Sequence, residues 1–389
     1  MKWKHLVIFR QPGIYAGWPA NYGIWRSADN SIRTGFFAAK FLERETKQRF
    51  HPFDYNDREG RHIQIVSKDD GINWAVEQGP VLMPSVAFCQ SGGKIWPDRV
   101  IGSQSSDSSP ELNAQKLDLS HRDVRMLFSR TSFGHQPRSW WVFTTDGGRT
   151  WSPPKRIPIN LKYVTRGIAA RTDYCVLKDG TALMGLSVSR QDGGEGETLL
   201  VRTDGVKWTE LGIIGEPIQP QSRADINYNI MSSVVNFDRK HENKETWDAL
   251  MAIRHRNGPK NEIHVYRLNT ANGSNKRASD YQTGWGGNPP AMVRTKAGRN
   301  FLFYWVRSRR LEVESREENH KARLMCQELN DDGTLKSSHQ LREAPEGRYD
   351  LGYCRAIERL DGSIVVIYYF DDGTNCRSIE STIVKVDDE

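Results

Sequence analysis

An eight-residue pattern recurs in this chain: Ser67-Lys68-Asp69-Asp70-Gly71-Ile72-Asn73-Trp74 and Thr144-Thr145-Asp146-Gly147-Gly148-Arg149-Thr150-Trp151 both read Ser/Thr-x-Asp-x-Gly-x-Thr/Asn-Trp. Each residue type has a physical job in a tight β-hairpin. The Asp carboxylate accepts hydrogen bonds from the amides of its own turn, and Gly takes the positive φ where the chain reverses. Trp then lays its ring over the hairpin. A pattern this constrained, met twice, marks an internal repeat, and internal repeats fix the architecture before anything else does.

Weaker copies continue the series. Thr203-Asp204-Gly205-Val206-Lys207-Trp208 keeps Gly and Trp, while Asn269-Thr270-Ala271-Asn272-Gly273 and Asn330-Asp331-Asp332-Gly333-Thr334 keep only the turn. The turn glycines Gly71, Gly148, Gly205, Gly273 and Gly333 are spaced by roughly sixty to eighty residues. A second series lies half a unit away, at Asp179-Gly180, Ala297-Gly298 and Asp361-Gly362. Between the turns sit strand-length apolar runs such as 181–188, Phe301–Val306 and 363–369, and no stretch sustains a helical period. A unit with two hairpin turns is a four-stranded antiparallel blade. A chain of 389 residues holds about six, so the expectation is an all-β, six-bladed β-propeller spanning residues 1–389 as a single domain. The strand at Leu6–Phe9 is expected to complete the last blade and close the ring; an array of β-sandwiches is the competing architecture.

Composition narrows the function classes. Hydrophobic residues make up 37%, aromatics 10% and charged residues 26%, a globular, turn-rich profile. The net charge of +7 is scattered, with no run of five basic residues, which argues against nucleic acid and leaves an anionic small ligand open. Five cysteines, an odd number without short spacing, argue against a disulfide framework. The apolar run near the N-terminus is too short for a signal peptide or a membrane span. A cytoplasmic protein without membrane partners is therefore expected, or a secreted one if a leader was trimmed. No metal-ligand spacing, phosphate-cradling Gly loop or nucleophile elbow appears, and no cofactor is expected. Asp371-Asp372-Gly373 offers oxygen ligands for Ca²⁺ but lacks the EF-hand spacing.

The octamer resembles the Asp-box of sialidases, and the sequence is similar to that superfamily over nearly its whole length. It is closer still to bacterial sialidase-like (BNR-repeat) proteins. The segments that carry this are 16–25, Gly167-Ile168-Ala169-Ala170-Arg171-Thr172-Asp173-Tyr174, Gly286-Gly287-Asn288-Pro289-Pro290 and Asp350-Leu351-Gly352-Tyr353-Cys354-Arg355. That group usually has Pro where Cys354 stands and His where Tyr22 stands. The resemblance implies a six-bladed propeller with its site where the innermost strands converge. In sialidases three arginines grip the sugar carboxylate, a Tyr paired with a Glu is the nucleophile, and an early-loop Asp is the acid/base.

Carried over residue by residue, Tyr353 matches the nucleophile's place before the last hairpin, and Arg254 ends a strand as the second sialidase arginine does. Arg171, Arg355 and Arg26 stand at blade starts or strand ends and join it as substrate contacts, with Asn288 and His51. Arg10, in Phe9-Arg10-Gln11-Pro12, is a loose match to the N-terminal arginine. Asp54 lies on the loop expected to carry the acid/base, with Asp57 as rival. The Glu partner is missing: the segment 229–233 reads Asn-Ile-Met-Ser-Ser, and Asp173 or Asp225 are the nearest substitutes. A third arginine before Asn288 is missing too.

Three functions fit these residues. The first is an exo-acting glycoside hydrolase on an anionic, sialic- or uronic-acid-type sugar, using Asp54, Tyr353 and Asp173. The second is a polysaccharide lyase in which Tyr353 or one of His51, His135 and His255 takes the proton next to a uronate carboxylate. The third is a sugar-binding propeller without turnover. In each, the partner is an oligosaccharide or glycoconjugate.

Overall fold

The structure is a computed structural model describing residues 1–43, 55–56, 60–77, 116–130, 139–153, 155–157, 167–189, 195–216, 227–237, 246–258, 260–284, 287–307 and 321–386. Strand β1 (Lys2–Phe9) opens the chain. The first sheet follows: β2 (Ile14–Gly17), β3 (Ile24–Arg26), β4 (Ile32–Lys40), β5 (Arg61–Ser67) and β6 (Ala75–Val76). A second sheet holds β7 (Arg125–Arg130), β8 (Ser139–Thr144) and β9 (Lys155–Arg156). The third holds β10 (Ile168–Ala169), β11 (Cys175–Val176), β12 (Ala182–Ser189), β13 (Glu195–Thr203) and β14 (Trp208–Ile214). The fourth runs through β15 (Tyr228–Asn236), β16 (Ala249–Asn257), β17 (Lys260–Leu268) and β18 (Asn275–Gln282). The fifth is β19 (Ala291–Arg294), β20 (Asn300–Val306), β21 (Arg323–Leu329) and β22 (Leu335–Glu343). Last come β23 (Gly352–Glu358), β24 (Ile364–Phe370) and β25 (Ser378–Lys385).

β1 pairs antiparallel with β25, from Lys2 opposite Lys385 to Phe9 opposite Ile379, so the two chain ends share one sheet and close the ring. The architecture is thus an all-β propeller. The expectation of six four-stranded blades is corrected to five, the remaining sheet, β7–β9, falling short of four strands among the described residues. Two of the five have an innermost strand split in two, β2 with β3 and β10 with β11.

Burial explains which sequences became which strands. Middle strands are covered on both faces by neighbouring sheets, so they read as continuous apolar runs, as Ile364–Phe370 does with every residue buried. Outermost strands such as β18 and β22 are exposed at half or more of their positions and carry the charges. Apolar clusters fill the spaces between successive sheets. One joins Tyr15, Phe36 and Ile65 of the first sheet to Val365, Ile367 and Tyr369 of the last, and another joins Phe301 and Trp305 to Tyr368 and Phe370. Each such side chain contributes about 1.5–3 kcal/mol when fully buried.

The two turn series are where the repeat placed them. Turns at Gly71, Gly205, Gly273 and Gly333 join third to fourth strands, the turn at Gly148 joins the last two strands of the β7–β9 sheet, and turns at Gly180, Gly298 and Gly362 join first to second strands. Both series therefore lie on one end of the ring, termed here the turn face. Connections between blades lie on the other, the crossover face. In the second octamer Asp146 accepts bonds from the Thr144 and Thr150 hydroxyls and from the Arg149 and Thr150 amides. The octamer also grips the neighbouring sheet: the Gly147 carbonyl accepts from the Trp25 indole, and that of Gly148 accepts from Gln64. A Cβ on Gly148, at φ 103°, would come within 2.9 Å of the Trp25 ring, so close packing and backbone conformation both require glycine there.

These bonds hold the Asp146 carboxyl down at about 2, with burial opposing them. A depressed acid contributes stability above its unfolded value of 3.8, and loses it as pH falls through about 2. Because Asp146 is largely solvated, the effect is discounted to about 1 kcal/mol. Asp146→Asn should therefore unfold at lower denaturant than the parent at pH 7, and the gap should narrow between pH 4 and pH 2; an unchanged gap would contradict this account of the turn.

Candidate functional site

Strand β23 runs down the channel and orders the candidates by depth. Tyr353 stands at its start on the crossover face, Arg355 sits midway, and Glu358 lies at its end on the turn face. The register of β23 with β24 shifts between Gly352 and Arg355, and Tyr353 sits in that bulge at φ 56°. A non-glycine residue in this conformation carries roughly 1–2 kcal/mol of strain, which the surroundings must hold. The buried side chain of Asn288 does so, accepting the Tyr353 amide at 3.0 Å.

The fourth sheet repeats the device. β15 slips against β16 between Ile230 and Ser233, with Met231 at φ 58°. Tyr353 packs against Tyr228, Ile230 and Met231. Arg254, opposite Ile230 on β16, reaches the Met231 sulfur with Nη1 at 3.3 Å and lies 5.0 Å over the Tyr228 ring. The Ser187 hydroxyl accepts both the Met231 amide and Nη1 of Arg171, each at 3.2 Å. Arg171, Arg254 and Tyr353, from the third, fourth and last sheets, thus converge at one crossover mouth. Gly287 lies against them, where an added Cβ would stand 2.9 Å from Nε of Arg254.

Sequence reasoning missed Arg307, which follows β20 much as Arg254 ends β16. Its Nη2 donates to the Leu351 carbonyl at 3.1 Å, and its guanidinium lies 6.0 Å from the Tyr353 ring centre. The signal was in the sequence as Phe-Tyr-Trp-Val-Arg, an apolar strand ending in Arg, but it lies after Asn288, whereas the resemblance places the third arginine before it.

Beside Tyr353 lies a buried polar cluster. Asp350 accepts the hydroxyls of Tyr15 at 3.1 Å and Tyr369 at 2.8 Å, and Nε of Arg377 at 3.0 Å. Arg377 also pairs with Asp371 at 3.2 Å. Burial pushes the Asp371 carboxyl up to about 6, against the pull of Arg377. Tyr369 in turn packs edge-on to Tyr353, with ring centres 6.0 Å apart.

Other candidates lie elsewhere. Arg355 bonds Asp173 at 2.7 Å and the Thr172 carbonyl at 2.7 Å, so this pair bridges the third and last sheets across the channel. Ser233 and the Val234 amide of the fourth sheet bond Asp173 as well, and burial still pushes its carboxyl above the ordinary range. Asp173, expected to be a catalytic carboxylate, and Arg355, expected to bind substrate, are committed to each other. Arg26 lies on the turn face, bound to Asp70 of the first octamer and to the Glu358 carbonyl, about 15 Å from Tyr353 along β23. Its placement as a substrate contact beside Tyr353 is corrected. A cavity of about 360 Å³ opens on that face beside β7, lined by Arg26, Arg122, Arg125, Lys296, Arg355 and Arg359 with Asp173 and Glu358.

Arg10 follows β1, the outermost strand of the last sheet, and pairs with Asp372 at 2.8 Å. His255 points to the opposite face of β16 from Arg254. Asp54, His51, Asp57, His135 and Asp225 lie outside the described residues. Tyr55, next to Asp54 in sequence, is held on the crossover face by its carbonyl bond from the Leu42 amide and by the Arg377 guanidinium 5.1 Å over its ring.

No protein-family profile matches the sequence, and no curated protein resembles it significantly. Solved structures do match. A Dyadobacter fermentans protein of unknown function is 16% identical with a TM-score of 0.63, covering 98% of both chains. The NanB sialidase of Streptococcus pneumoniae is 10% identical with a TM-score of 0.53, over 98% of this chain and 70% of its own. An α-L-arabinofuranosidase from Fusarium graminearum is 9% identical with a TM-score of 0.54, over 97% and 98%. The likeness is one of fold. It is a sialidase-like propeller fold, shared with carbohydrate-acting enzymes at low identity.

Proposed function

We propose that the chain is a glycoside hydrolase that releases a terminal anionic sugar, with the crossover mouth as its active site. The observation that carries this reading is the convergence of Tyr353, Arg254 and Arg171 from three separate sheets through Met231 and Ser187. Guanidinium groups recognise a carboxylate in a planar, two-point manner, which suits a sialic- or uronic-acid-type sugar better than a neutral one. The fold's likeness to sialidases and an arabinofuranosidase supports a sugar substrate. In this reading Asp54 is the proton donor to the leaving oxygen, Asn288 holds the Tyr353 backbone, and His51 adds a sugar contact. The Tyr353 phenol faces the developing positive charge at the anomeric carbon. The Asp-box character of the octamers belongs to the same reading.

A second reading, sugar binding without turnover, is favoured by Met231. The segment 229–233, where a nucleophile's carboxylate partner would stand, places a thioether against Tyr353. A Tyr hydroxyl needs a neighbouring base or cation to attack. The lyase reading has less support, since His255 faces away from Arg254.

A screen of the whole chain against anionic and neutral oligosaccharides, following reducing-end release and unsaturated product, separates the three. Hydrolysis of an acidic sugar, lost in Asp54→Asn and reduced in Tyr353→Phe, is the expected result. Unsaturated product would establish the lyase, and saturable binding without any product would establish the binder.

A further inference from the structure

We propose that His255, Glu262 and His264 form a binding site for a divalent transition-metal ion, with Zn²⁺ as the best-suited occupant. His255 opposes Glu262 across the β16–β17 ladder, and His264 follows two residues on, so all three share one face of the fourth sheet. That face is the reverse of the one carrying Arg254, so the site is separate from the mouth. One ligand atom from each residue lies within 4.8 Å of the others. Ligands of a tetrahedral Zn²⁺ sit about 3.3 Å apart, so closure needs side-chain rotations of about 1 Å and no backbone movement.

The surroundings are built as metal sites are. A ligating imidazole is normally oriented by a hydrogen bond to its other nitrogen. His255 Nδ1 meets Asn229 Oδ1 at 2.6 Å, leaving Nε2 for a ligand role. His264 Nδ1 lies 3.4 Å from the Tyr266 hydroxyl, while its Nε2 lies 3.0 Å from Glu262 Oε2, the gap an ion would enter. Glu262 Oε1 accepts from Gln282, so the carboxylate is oriented too. The two imidazole rings stack with centres 3.8 Å apart and planes 21° apart, an arrangement that two protonated histidines would not adopt. Arg277 and Asp280 on β18 face the cluster with opposite charges. Two imidazoles and one carboxylate match the ligand preference of Zn²⁺, and three protein ligands leave a fourth position for water.

The test uses the full chain, stripped with a chelator and titrated with Zn²⁺ against a chromogenic competitor. One ion per chain is expected. His255→Ala and Glu262→Gln should each weaken binding more than about a hundredfold, since loss of a mere orienting partner already costs ten- to a hundredfold. His121→Ala, at an exposed position on the turn face, should bind as the parent does. Co²⁺ added to the parent protein should give the visible bands of a low-symmetry N/O site, a readout that needs no variant. Absence of stoichiometric Zn²⁺, a featureless Co²⁺ spectrum, or binding untouched by both ligand variants would each overturn the proposal.

Discussion

Arg377→Met is expected to lower the stability of the folded chain by about 3–5 kcal/mol at neutral pH, the cost of removing one partner from a buried ionic cluster. Arg377 is 4% exposed, and its guanidinium stands between Asp350, with no exposure, and Asp371, at 3%. Methionine fills much of the volume, so the effect reports charge and not a cavity. Two buried carboxylates would then face each other with only the partly exposed Arg348, 4.0 Å from Asp371, as a nearby cation, and two tyrosine hydroxyls on Asp350 cannot replace the lost charge. In the parent, the Asp371 carboxyl is already raised to about 6. A raised acid contributes stability below its unfolded value of 3.8, and that contribution is lost as pH rises through about 6. Removing Arg377 raises it further, so the variant should recover part of the lost stability between pH 7 and pH 5. Denaturant unfolding at the two pH values measures both. A loss below about 1 kcal/mol, or one that grows in acid, would contradict the description of the cluster.

Arg254→Met should reduce kcat/KM on the acidic sugar by about a hundred- to a thousandfold, the usual loss when a preorganised charged donor is removed from a site. Arg254 is half-buried over Tyr228 and beside Met231, so its side chain is already positioned before substrate arrives. A neutral analogue of the same sugar should be turned over by parent and variant alike, because it has no carboxylate to lose. Arg254→Lys should recover only part of the activity, since an ammonium cannot make the two-point contact. Thermal unfolding of each variant, compared with the parent, distinguishes loss of the contact from loss of the fold. Equal losses on acidic and neutral sugars would place the substrate carboxylate elsewhere.

Much of the architecture was legible because it rests on local chemistry. The Asp and Gly of each octamer determine a turn that needs no knowledge of the rest of the chain, and the spacing of those turns gives the blade. The β1–β25 closure was legible as a β-rich run with no partner nearby in sequence. The site was legible only in part. Tyr353 and Arg254 stand where expected because each ends or begins a strand whose limits are marked by turns. Arg26 and Arg355 have the same kind of sequence context, yet one meets Asp70 and the other Asp173. Those partners come from residues tens to hundreds of positions away, and no spacing rule reaches them. The positive φ at Trp18, Met231 and Tyr353 was hidden too, since none is glycine and tertiary packing enforces each. The His255, Glu262 and His264 cluster has no metal-motif spacing because cross-strand register, not helical or loop periodicity, assembles it.

A crystal structure with an acidic monosaccharide bound would locate the sugar carboxylate. The carboxylate is expected at the crossover mouth, within hydrogen-bond distance of the Arg254 guanidinium and in reach of Arg171 or Arg307, with the ring near Tyr353. A sugar seated instead in the turn-face cavity among Arg26, Arg122 and Lys296, with the crossover mouth empty, would contradict it.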